Sequence, residues 1–227
     1  MIKLENIEKS FGENKVYDKF SLNFKEGQVN CILGKSGCGK STLLKIISGL
    51  ESANKGKVLN VPNKISYIFQ EDRLVEWKNI YENLELPIIN LYRKHEREEK
   101  IKEILKLFSL EETIYAYPKS LSGGMRQRIN IARAFIYRGE LLLMDEPFKS
   151  LDKVSKDSVI KFFNYYIEKN KTTVIMVTHD IDEALSLGDY IFLLGDRPVK
   201  VLEEFNLKKN FSKSLDLEKR ITEILKR

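Results

Sequence analysis

Cysteine is scarce in this sequence: two occur among 227 residues, Cys31 and Cys38. Two thiols do not suggest a disulfide framework or a zinc cluster, and both fit a reducing cytosol. Long hydrophobic runs are also missing, since stretches such as LLLM and VIMV fall far short of the roughly 20 residues of a membrane-spanning helix. The first residues, MIKLENIEKS, lack the apolar segment of a signal peptide, so we expect neither export nor a membrane span.

No long block of like charge occurs either, although the net charge is +6. The 39 basic residues are interleaved with 33 acidic ones, a pattern typical of a solvated surface, and we expect no nucleic-acid partner. Hydrophobic residues make up 42% of the chain and aromatic residues 10%, which is enough for a packed interior and argues against general disorder.

Apolar strand patterns alternate with helical patterns along most of the chain. Strand patterns occur in IKLENI, VYDKFSLNF, QVNCIL, ELLLMDEP, TTVIMVTH, YIFLLG and VKVLEEF. Helical patterns occur in STLLKIISGL, KVSKDSVIKFFNYYIEKN and a terminal SLDLEKRITEILKR. Their interleaving predicts an α/β core with a mostly parallel sheet covered on both faces. Residues 71–139, with REEKIKEILKLFSL and GGMRQRINIARAFIY, are predicted to be a helical insertion within a single domain over 1–227.

The stretch GKSGCGKST concentrates glycine, lysine and hydroxyl residues. Such residues are common in surface turns, but the spacing Gly34-x-x-x-x-Gly39-Lys40-Ser41 is also that of the Walker A phosphate loop. A buried strand before it and a helix after it favour the phosphate loop, because backbone N–H groups at a helix N-terminus bind anions.

In a phosphate loop, Lys40 contacts the β- and γ-phosphates and the Ser41 hydroxyl binds Mg²⁺. Because Cys38 lies in the loop, we expect bound nucleotide to shield its thiol. The whole set predicted to bind nucleotide here is Gly34, Lys35, Ser36, Gly37, Cys38, Gly39, Lys40, Ser41 and Thr42.

Two further segments supply groups for phosphate chemistry. The apolar strand in LLLMDEP carries Asp145 and Glu146 to its carboxyl end, where α/β sheets bind ligands. Alone, such a pair is more often a helix N-cap, but beside a phosphate loop we expect Asp145 to hold the metal and Glu146 to polarise the attacking water. In LSGGMRQR, Ser122, Gly123 and Gly124 precede a helix and form a second anion-binding N-terminus.

Together these motifs resemble those of the ATP-binding subunits of ATP-binding cassette (ABC) transporters. LSGGM matches the signature of that family, and the phosphate loop, Gln70, the signature, MDEP, SLD and His179 follow its order over about residues 1–205. The resemblance implies an ABC cassette, in which a P-loop core and an N-terminal antiparallel β subdomain carry the helical insertion. It implies ATP and Mg²⁺ as cofactors and ATP hydrolysis coupled to transmembrane transport. A soluble ABC ATPase acting on nucleic acid or the ribosome is the alternative, and a P-loop kinase would lack LSGGM.

The resemblance also assigns roles to single residues. Phe11 in KSFG is expected to stack on adenine, although an aromatic residue on an early strand is otherwise part of the core. Gln70 is expected to contact Mg²⁺ and the attacking water, and His179 the γ-phosphate, so that they form the catalytic set with Lys40 and Glu146. The segment SLD is expected to communicate across a dimer.

The same resemblance implies partners. In this family two cassettes pair head to tail, so each ATP would lie between the phosphate loop of one chain and Ser122, Gly123 and Gly124 of the other. The implied partners are a second copy of the chain, transmembrane permease subunits and, indirectly, a solute-binding protein. The implied location is the cytoplasmic face of the cell membrane, as a peripheral protein.

The segments FQEDRLVEWKNIYENL and DEPFKSLD resemble the importer ATPases for nitrate, sulfonate and taurine. Trp77 and Asn79 match their pattern, whereas Glu76 stands where those proteins usually carry proline, and Lys149 and Ser150 replace a usual small pair. Importers of pyrimidine precursors share much of this pattern, so the solute stays open.

Residues 71–87 lie where this family receives the coupling helices of its membrane partner. The sequence leaves two alternatives for the apolar residues there: they form a groove for such a helix, or they pack inside the helical insertion. These residues are Trp77, Ile80, Tyr81 and Leu84.

Overall fold

The computed structural model describes residues 1–207 and 214–226, and within them lie nine strands and seven α-helices. The strands are β1 (Ile2–Phe11), β2 (Asn14–Phe24), β3 (Val29–Gly34), β4 (Lys55–Leu59), β5 (Ile65–Ile68), β6 (Leu141–Asp145), β7 (Thr173–Val177), β8 (Tyr190–Gly195) and β9 (Lys200–Asn206). The helices are α1 (Lys40–Ile47), α2 (Ile80–Glu85), α3 (Lys94–Leu107), α4 (Gly123–Tyr137), α5 (Lys153–Asn170), α6 (Ile181–Leu187) and α7 (Ser214–Lys226).

The strands form two sheets. The larger has the order β5-β6-β7-β3-β8-β9, with every neighbouring pair parallel except the antiparallel pair β8–β9. The smaller is antiparallel, with the order β2-β1-β4. In the larger sheet the strand order reverses across β3, because β7 lies on one side of it and β8 on the other. Ligands bind at the carboxyl ends of parallel strands near such a reversal, and β3 and β6 end there with the two phosphate motifs.

Strand β3 shows how the core is divided. All six of its residues are buried, and successive side chains point to opposite faces of the sheet. Cys31 and Leu33 join the hydrophobic cluster that includes α4 and α5, whereas Ile32 joins the cluster that includes α1 and the smaller sheet. Both faces of the strand are covered, which favours apolar side chains throughout. The one polar side chain, that of Asn30, is buried and donates hydrogen bonds to backbone oxygens, including that of Val174 at 3.0 Å.

Residues 71–139 contain α2, α3, α4 and three short 3₁₀ turns between β5 and β6. Helix α2 begins with a capping box, in which the Asn79 side chain accepts a hydrogen bond from the backbone N–H of Glu82 and the Glu82 carboxylate accepts one from the N–H of Asn79. None of the helices in the described part of the chain is long and apolar enough to span a membrane.

The fold class predicted from the sequence is confirmed, including the mostly parallel sheet and the antiparallel N-terminal sheet. The terminal helix is present as α7, although its last predicted residue, Arg227, lies outside the described residues. Strands β4 and β5 were not predicted. The segment KGKVL of β4 has no fully buried residue and therefore no apolar alternation to indicate a strand.

Candidate functional site

The phosphate loop joins β3 to α1 and packs tightly against two other strands. A Cβ atom on Gly34 would lie 2.4 Å from the backbone oxygen of Leu194 in β8. At Gly39, where φ is +122°, a Cβ atom would lie 2.7 Å from Cγ1 of Val16 in β2. Both positions therefore require glycine, one for close approach and one also for its backbone angle.

Lys40, the first residue of α1, turns its side chain into the loop. Its ammonium is buried and donates hydrogen bonds to the backbone oxygens of Gly34 (2.7 Å) and Lys35 (3.0 Å). An ammonium has three N–H donors, so these two carbonyls leave one that can bind a phosphate oxygen. The side chain of Lys35 is exposed, and the loop uses this residue through its carbonyl.

Ser41 and Asp145 meet although they are far apart in sequence. The Ser41 hydroxyl donates a 3.0 Å hydrogen bond to Oδ1 of Asp145, the last residue of β6. Burial raises the pKa of Asp145, and the bond from Ser41 acts against that rise. Gln70 borders the same cavity as Ser41. A hydroxyl, a carboxylate and an amide oxygen are the ligands that Mg²⁺ prefers, so these residues fit the metal that the sequence predicts.

Glu146 lies between two basic side chains. Its Oε1 is 3.4 Å from Nδ1 of His179, and its Oε2 is 3.0 Å from Nζ of Lys149. Burial raises the pKa of Glu146, but the Lys149 ammonium and the neighbouring His179 outweigh burial and hold that pKa below its usual range. The side chain is therefore a carboxylate at neutral pH, which is the form that can polarise a water molecule.

One cavity of about 270 Å³ is bordered by Lys40, Ser41, Gln70, Glu146 and Lys149. Asp145 is not among its lining residues, but it accepts the hydrogen bond from Ser41. A second cavity of about 200 Å³ shares Glu146 and Lys149 with the first and adds His179. Most of the predicted site therefore comes together, whereas Lys149 is a lining residue that the sequence analysis noted only as a departure from the family. The larger cavity is lined by Ser36, Gly37, Gly39, Lys40, Ser41, Thr42, Gln70, Glu146 and Lys149.

Other predicted residues lie elsewhere. Ser122 is exposed and caps α4, its hydroxyl accepting a hydrogen bond from the N–H of Met125 at 3.3 Å. Within the described residues, neither Ser122 and its two following glycines nor Phe11 lines the larger cavity. Phe11 is not a core residue: its ring is 49% exposed, with Nζ of Lys9 4.7 Å from the ring centroid.

The expectation for the Cys38 thiol needs correction. Cys38 is only 6% exposed, because it packs into the cluster that includes α1 and the smaller sheet. Its Sγ lies 3.2 Å from the position that a Cβ atom on Gly34 would take. The packing of the protein itself therefore shields this thiol.

Helix α4 carries polar residues that support the site, and the sequence analysis missed them. Gln127 donates a 2.7 Å hydrogen bond to the backbone oxygen of Pro147, next to Glu146. Asn130 donates to the oxygen of Phe69 at 3.3 Å, next to Gln70. The sequence did contain a signal for them, since Gln127 and Asn130 are two amide residues spaced three apart on an otherwise apolar helix face, and buried amides need hydrogen-bond partners. The helix that begins at the signature is thus bonded to the two loops that carry Gln70 and Glu146.

His179 is held by its neighbours on α6. The Asp180 carboxylate accepts a 3.1 Å hydrogen bond from the N–H of Glu183 and so caps α6. Lys156 of α5 forms ion pairs with Asp180 (3.1 Å) and Glu183 (2.6 Å). The Thr178 hydroxyl donates to Glu183 at 2.6 Å. These contacts hold the residues on both sides of the histidine. Lys156 was not predicted as part of the site, because it is far from His179 in the sequence and belongs to no motif.

Replacing Lys156 with methionine should destabilise the protein at neutral pH by about 1–3 kcal/mol, because Glu183 is largely buried and would lose its charged hydrogen-bond partner. Burial raises the pKa of Asp180, but the backbone N–H of Glu183 and Lys156 lower it overall. A depressed carboxylate pKa adds stability above the unfolded pKa of about 3.9 and loses it as the pH falls through the folded pKa.

The stability difference between the native chain and Lys156→Met should therefore shrink below about pH 4, which urea denaturation at several pH values would measure. Lys161→Met, at an exposed position on the same helix, is the matched control and should change stability little. A difference for Lys156→Met that stays constant from pH 7 to pH 3 would contradict the assigned ion pairs.

The apolar residues of 71–87 do not form one groove. Ile80 and Leu84 have no exposed surface, because α2 turns them toward the interior, where α4 packs. Tyr81 is partly buried against the same cluster. Trp77, just before the helix, is 80% exposed. Ile80 and Leu84 therefore pack inside the helical insertion, which was one of the two alternatives, whereas Trp77 lies on the surface.

Comparison with known proteins agrees with the motifs. The family model described as ABC transporter matches residues 17–149. An aliphatic sulfonates import ATP-binding protein of Pseudomonas syringae pv. tomato is 36% identical over 196 residues, covering 86% of this chain and 83% of that protein. A formylaminopyrimidine import ATP-binding protein of Halalkalibacterium halodurans is 38% identical over 204 residues, covering 88% of this chain and 82% of that protein.

A longer relative is the sulfate/thiosulfate import ATP-binding protein of Mannheimia succiniciproducens, which is 36% identical over 220 residues. The match covers 90% of this chain and 62% of that relative. Among solved structures, the ATP-binding cassette MJ0796, in a dimeric post-hydrolysis state bound to ADP and Pi, is 34% identical with a TM-score of 0.82, covering 91% of this chain and 99% of that one. The chain therefore belongs to the ABC transporter family, as an ATP-binding ATPase of that family.

Proposed function

We propose that this chain hydrolyses ATP to drive the import of a small solute, as a peripheral protein on the cytoplasmic face of a membrane. One arrangement carries the proposal. The phosphate loop and Glu146 border a single cavity, whereas Ser122 lies exposed outside it at a second anion-binding helix start. Because the two anion-binding groups of one chain lie apart, they suit a head-to-tail pair of chains, in which Ser122 of the partner subunit would complete the cavity.

In the proposed reaction the phosphate loop holds the nucleotide. Lys40 and the N–H groups at the start of α1 bind the β- and γ-phosphates. Ser41, Asp145 and Gln70 are the residues that would hold Mg²⁺, which supplies charge neutralisation for those phosphates when bound. The buried position of Lys40 favours this role, because electrostatic attraction is stronger away from bulk water.

Glu146 acts on the water. Its carboxylate accepts a hydrogen bond from a water molecule and orients the water oxygen toward the γ-phosphorus. A new bond forms between these two atoms, and a proton of the water passes to the Glu146 carboxylate. The bond from the γ-phosphorus to the β–γ bridging oxygen breaks, and ADP leaves. His179, whose Nδ1 lies 3.4 Å from Oε1 of Glu146, would contact the transferred phosphoryl group. Ser122 of the partner subunit would donate to the same group from the opposite side.

The solute is proposed only as a class. Relatives at 36–38% identity are named for the import of sulfonates, sulfate or thiosulfate, and formylaminopyrimidine. These names favour import of a small organic or inorganic anion such as nitrate, sulfonate or taurine, with a pyrimidine precursor as the second candidate. Permease subunits and a solute-binding protein would select the solute, since the cavity of this chain serves the nucleotide.

Reconstitution tests this function. The chain is combined with its permease in proteoliposomes, with MgATP on its own side and solute-binding protein on the other, and uptake of taurine, nitrate, sulfate and formylaminopyrimidine is measured. We expect accumulation of one solute class and none with Glu146→Gln. ATPase activity that ignores the permease but is stimulated by RNA or DNA, with strong salt dependence, would overturn the proposal in favour of a nucleic-acid-directed ATPase.

Trp77 is proposed as part of the permease contact, because it is a large aromatic side chain with 80% of its surface exposed. Trp77→Ala should weaken association with the permease by about 2 kcal/mol and leave ATP affinity unchanged. Co-purification with the permease and nucleotide titration measure these effects. Tyr115→Ala, at another exposed aromatic residue of 71–139, is the control, and equal losses for both variants would contradict a specific role for Trp77.

A further inference from the structure

The phosphate loop receives a hydrogen bond from a residue that no phosphate motif contains. Tyr17 on β2 has no exposed surface, and its hydroxyl donates to the backbone oxygen of Gly39 at 3.0 Å. Gly39 closes the loop and precedes Lys40, the residue that turns into the cavity. The same oxygen accepts the first hydrogen bond of α1, from the N–H of Leu43 at 3.0 Å.

The contact depends on the absence of a side chain at Gly39. A Cβ atom there would lie 3.3 Å from the Tyr17 hydroxyl oxygen and 2.7 Å from Val16. The tyrosine ring is fixed by the core, with its centroid 4.9 Å from that of Phe20. Burial raises the pKa of Tyr17, so the hydroxyl stays a donor at any pH at which the protein works. A phenylalanine would fill the same space without bonding the loop.

The geometry of the peptide bond gives this contact a consequence. In a trans peptide, the carbonyl of residue 39 and the N–H of residue 40 point in opposite directions within one plane. Gly39 and Lys40 both line the nucleotide cavity, whereas Tyr17 approaches from the core side of the loop. A hydrogen bond from Tyr17 to the carbonyl therefore turns the N–H of Lys40 toward the cavity, where helix N-termini bind phosphate.

A second contact supports the loop from the same side of the molecule. The Arg197 guanidinium, in the turn between β8 and β9, donates to the backbone oxygen of Gly37. That turn is joined to β2 because the N–H of Val199 donates to the oxygen of Val16 at 2.8 Å. Two neighbouring residues of β2 thus support the loop. Tyr17 donates to it directly, and Val16 holds the turn from which Arg197 donates to it.

We propose that Tyr17 is a positioning residue of the nucleotide site, which orients the phosphate loop through the Gly39 carbonyl without touching the nucleotide. The proposal rests on ATP binding at this loop and adds a residue from outside its motifs. The β-phosphate lies in the loop with either nucleotide, so ATP and ADP should depend on Tyr17 alike.

Tyr17→Phe tests the proposal, because it removes the hydroxyl and keeps the ring. The dissociation constants of MgATP and MgADP should each rise about three- to tenfold, the size expected for one buried hydrogen bond. Adenosine, which has no phosphate, should bind as before. In steady-state hydrolysis KM should rise by a similar factor while kcat changes less than about twofold, since binding and not the chemical step is affected.

Tyr166→Phe is the matched control. Tyr166 is also a buried tyrosine, its hydroxyl oxygen accepts a hydrogen bond from the Thr172 side chain, and it lies on α5 away from the loop. Both variants should melt at similarly lowered temperatures, but only Tyr17→Phe should bind nucleotide more weakly. Unchanged MgATP and MgADP affinities for Tyr17→Phe, within a factor of about two, would overturn the positioning role. Failure of the native chain itself to bind MgATP would instead overturn the proposed function.

Discussion

Replacing Glu146 with glutamine should give a chain that binds ATP, hydrolyses it at most about a hundredth as fast as the native chain, and accumulates as a dimer in MgATP. Glutamine keeps the size of the side chain and removes the carboxylate that lies between His179 and Lys149. Without that carboxylate the water loses its base, and the γ-phosphate stays in place between two chains. Phosphate release and static light scattering measure the two effects.

Two controls make the dimer result specific. MgADP lacks the γ-phosphate and should leave Glu146→Gln monomeric. Adding Ser122→Arg should abolish the MgATP dimer, because it places a bulky side chain at an exposed helix start proposed to face the partner's nucleotide. A dimer that forms equally with MgADP would show that the γ-phosphate does not hold the pair. A variant that stays monomeric at saturating MgATP would show that the membrane subunits are needed to join the two chains.

Replacing Lys40 with alanine should abolish hydrolysis and weaken MgATP binding at least about a hundredfold, a loss of about 2.8 kcal/mol. The variant removes the cation inside the loop and leaves the carbonyls of Gly34 and Lys35 without their donor. A buried carbonyl without a donor costs further free energy. The substitution should therefore distort the loop in addition to removing its positive charge. Isothermal titration and a phosphate-release assay would measure both losses.

Lys35→Ala is the control for Lys40→Ala, because it removes the same charge from the same loop. The Lys35 side chain is exposed and does not line the larger cavity, so binding and hydrolysis should fall far less. Circular dichroism and thermal melting establish that both variants fold. Full hydrolysis by a folded Lys40→Ala protein would contradict the assignment of the phosphate loop.

Local patterns were sufficient to predict the groups at the ends of strands. The loop from Gly34 to Ser41 and the pair Asp145–Glu146 follow apolar runs, and in a parallel sheet the carboxyl ends of strands share one edge. Topology therefore brings Ser41 and Asp145 to one edge of the sheet, whereas the hydrogen bond between them is seen only in the structure. The same reasoning placed the signature at a helix start, because glycines after a serine indicate an N-cap.

Contacts made by side chains that carry no motif could not be predicted. Tyr17 looked like any strand aromatic, and only the fold brings its hydroxyl to Gly39. Lys149 looked like a substitution in a loop, yet its ammonium pairs with Glu146. Ile80 is apolar like Trp77, and only packing decides that the first is buried while the second is exposed. These outcomes depend on which surfaces meet after folding, which hydrophobic spacing along one segment does not specify.

Because Ser122 lies apart from the cavity, the proposed head-to-tail pairing would make turnover a property of two chains and not of one. If half of each site belongs to another copy, the active fraction follows mass action, and specific activity should fall as the purified protein is diluted. Two copies bound to the same permease would escape this dilution, because each would meet the other at an effective concentration near the millimolar range. The membrane partner would thereby set how often the two halves of the site meet, without contacting the nucleotide.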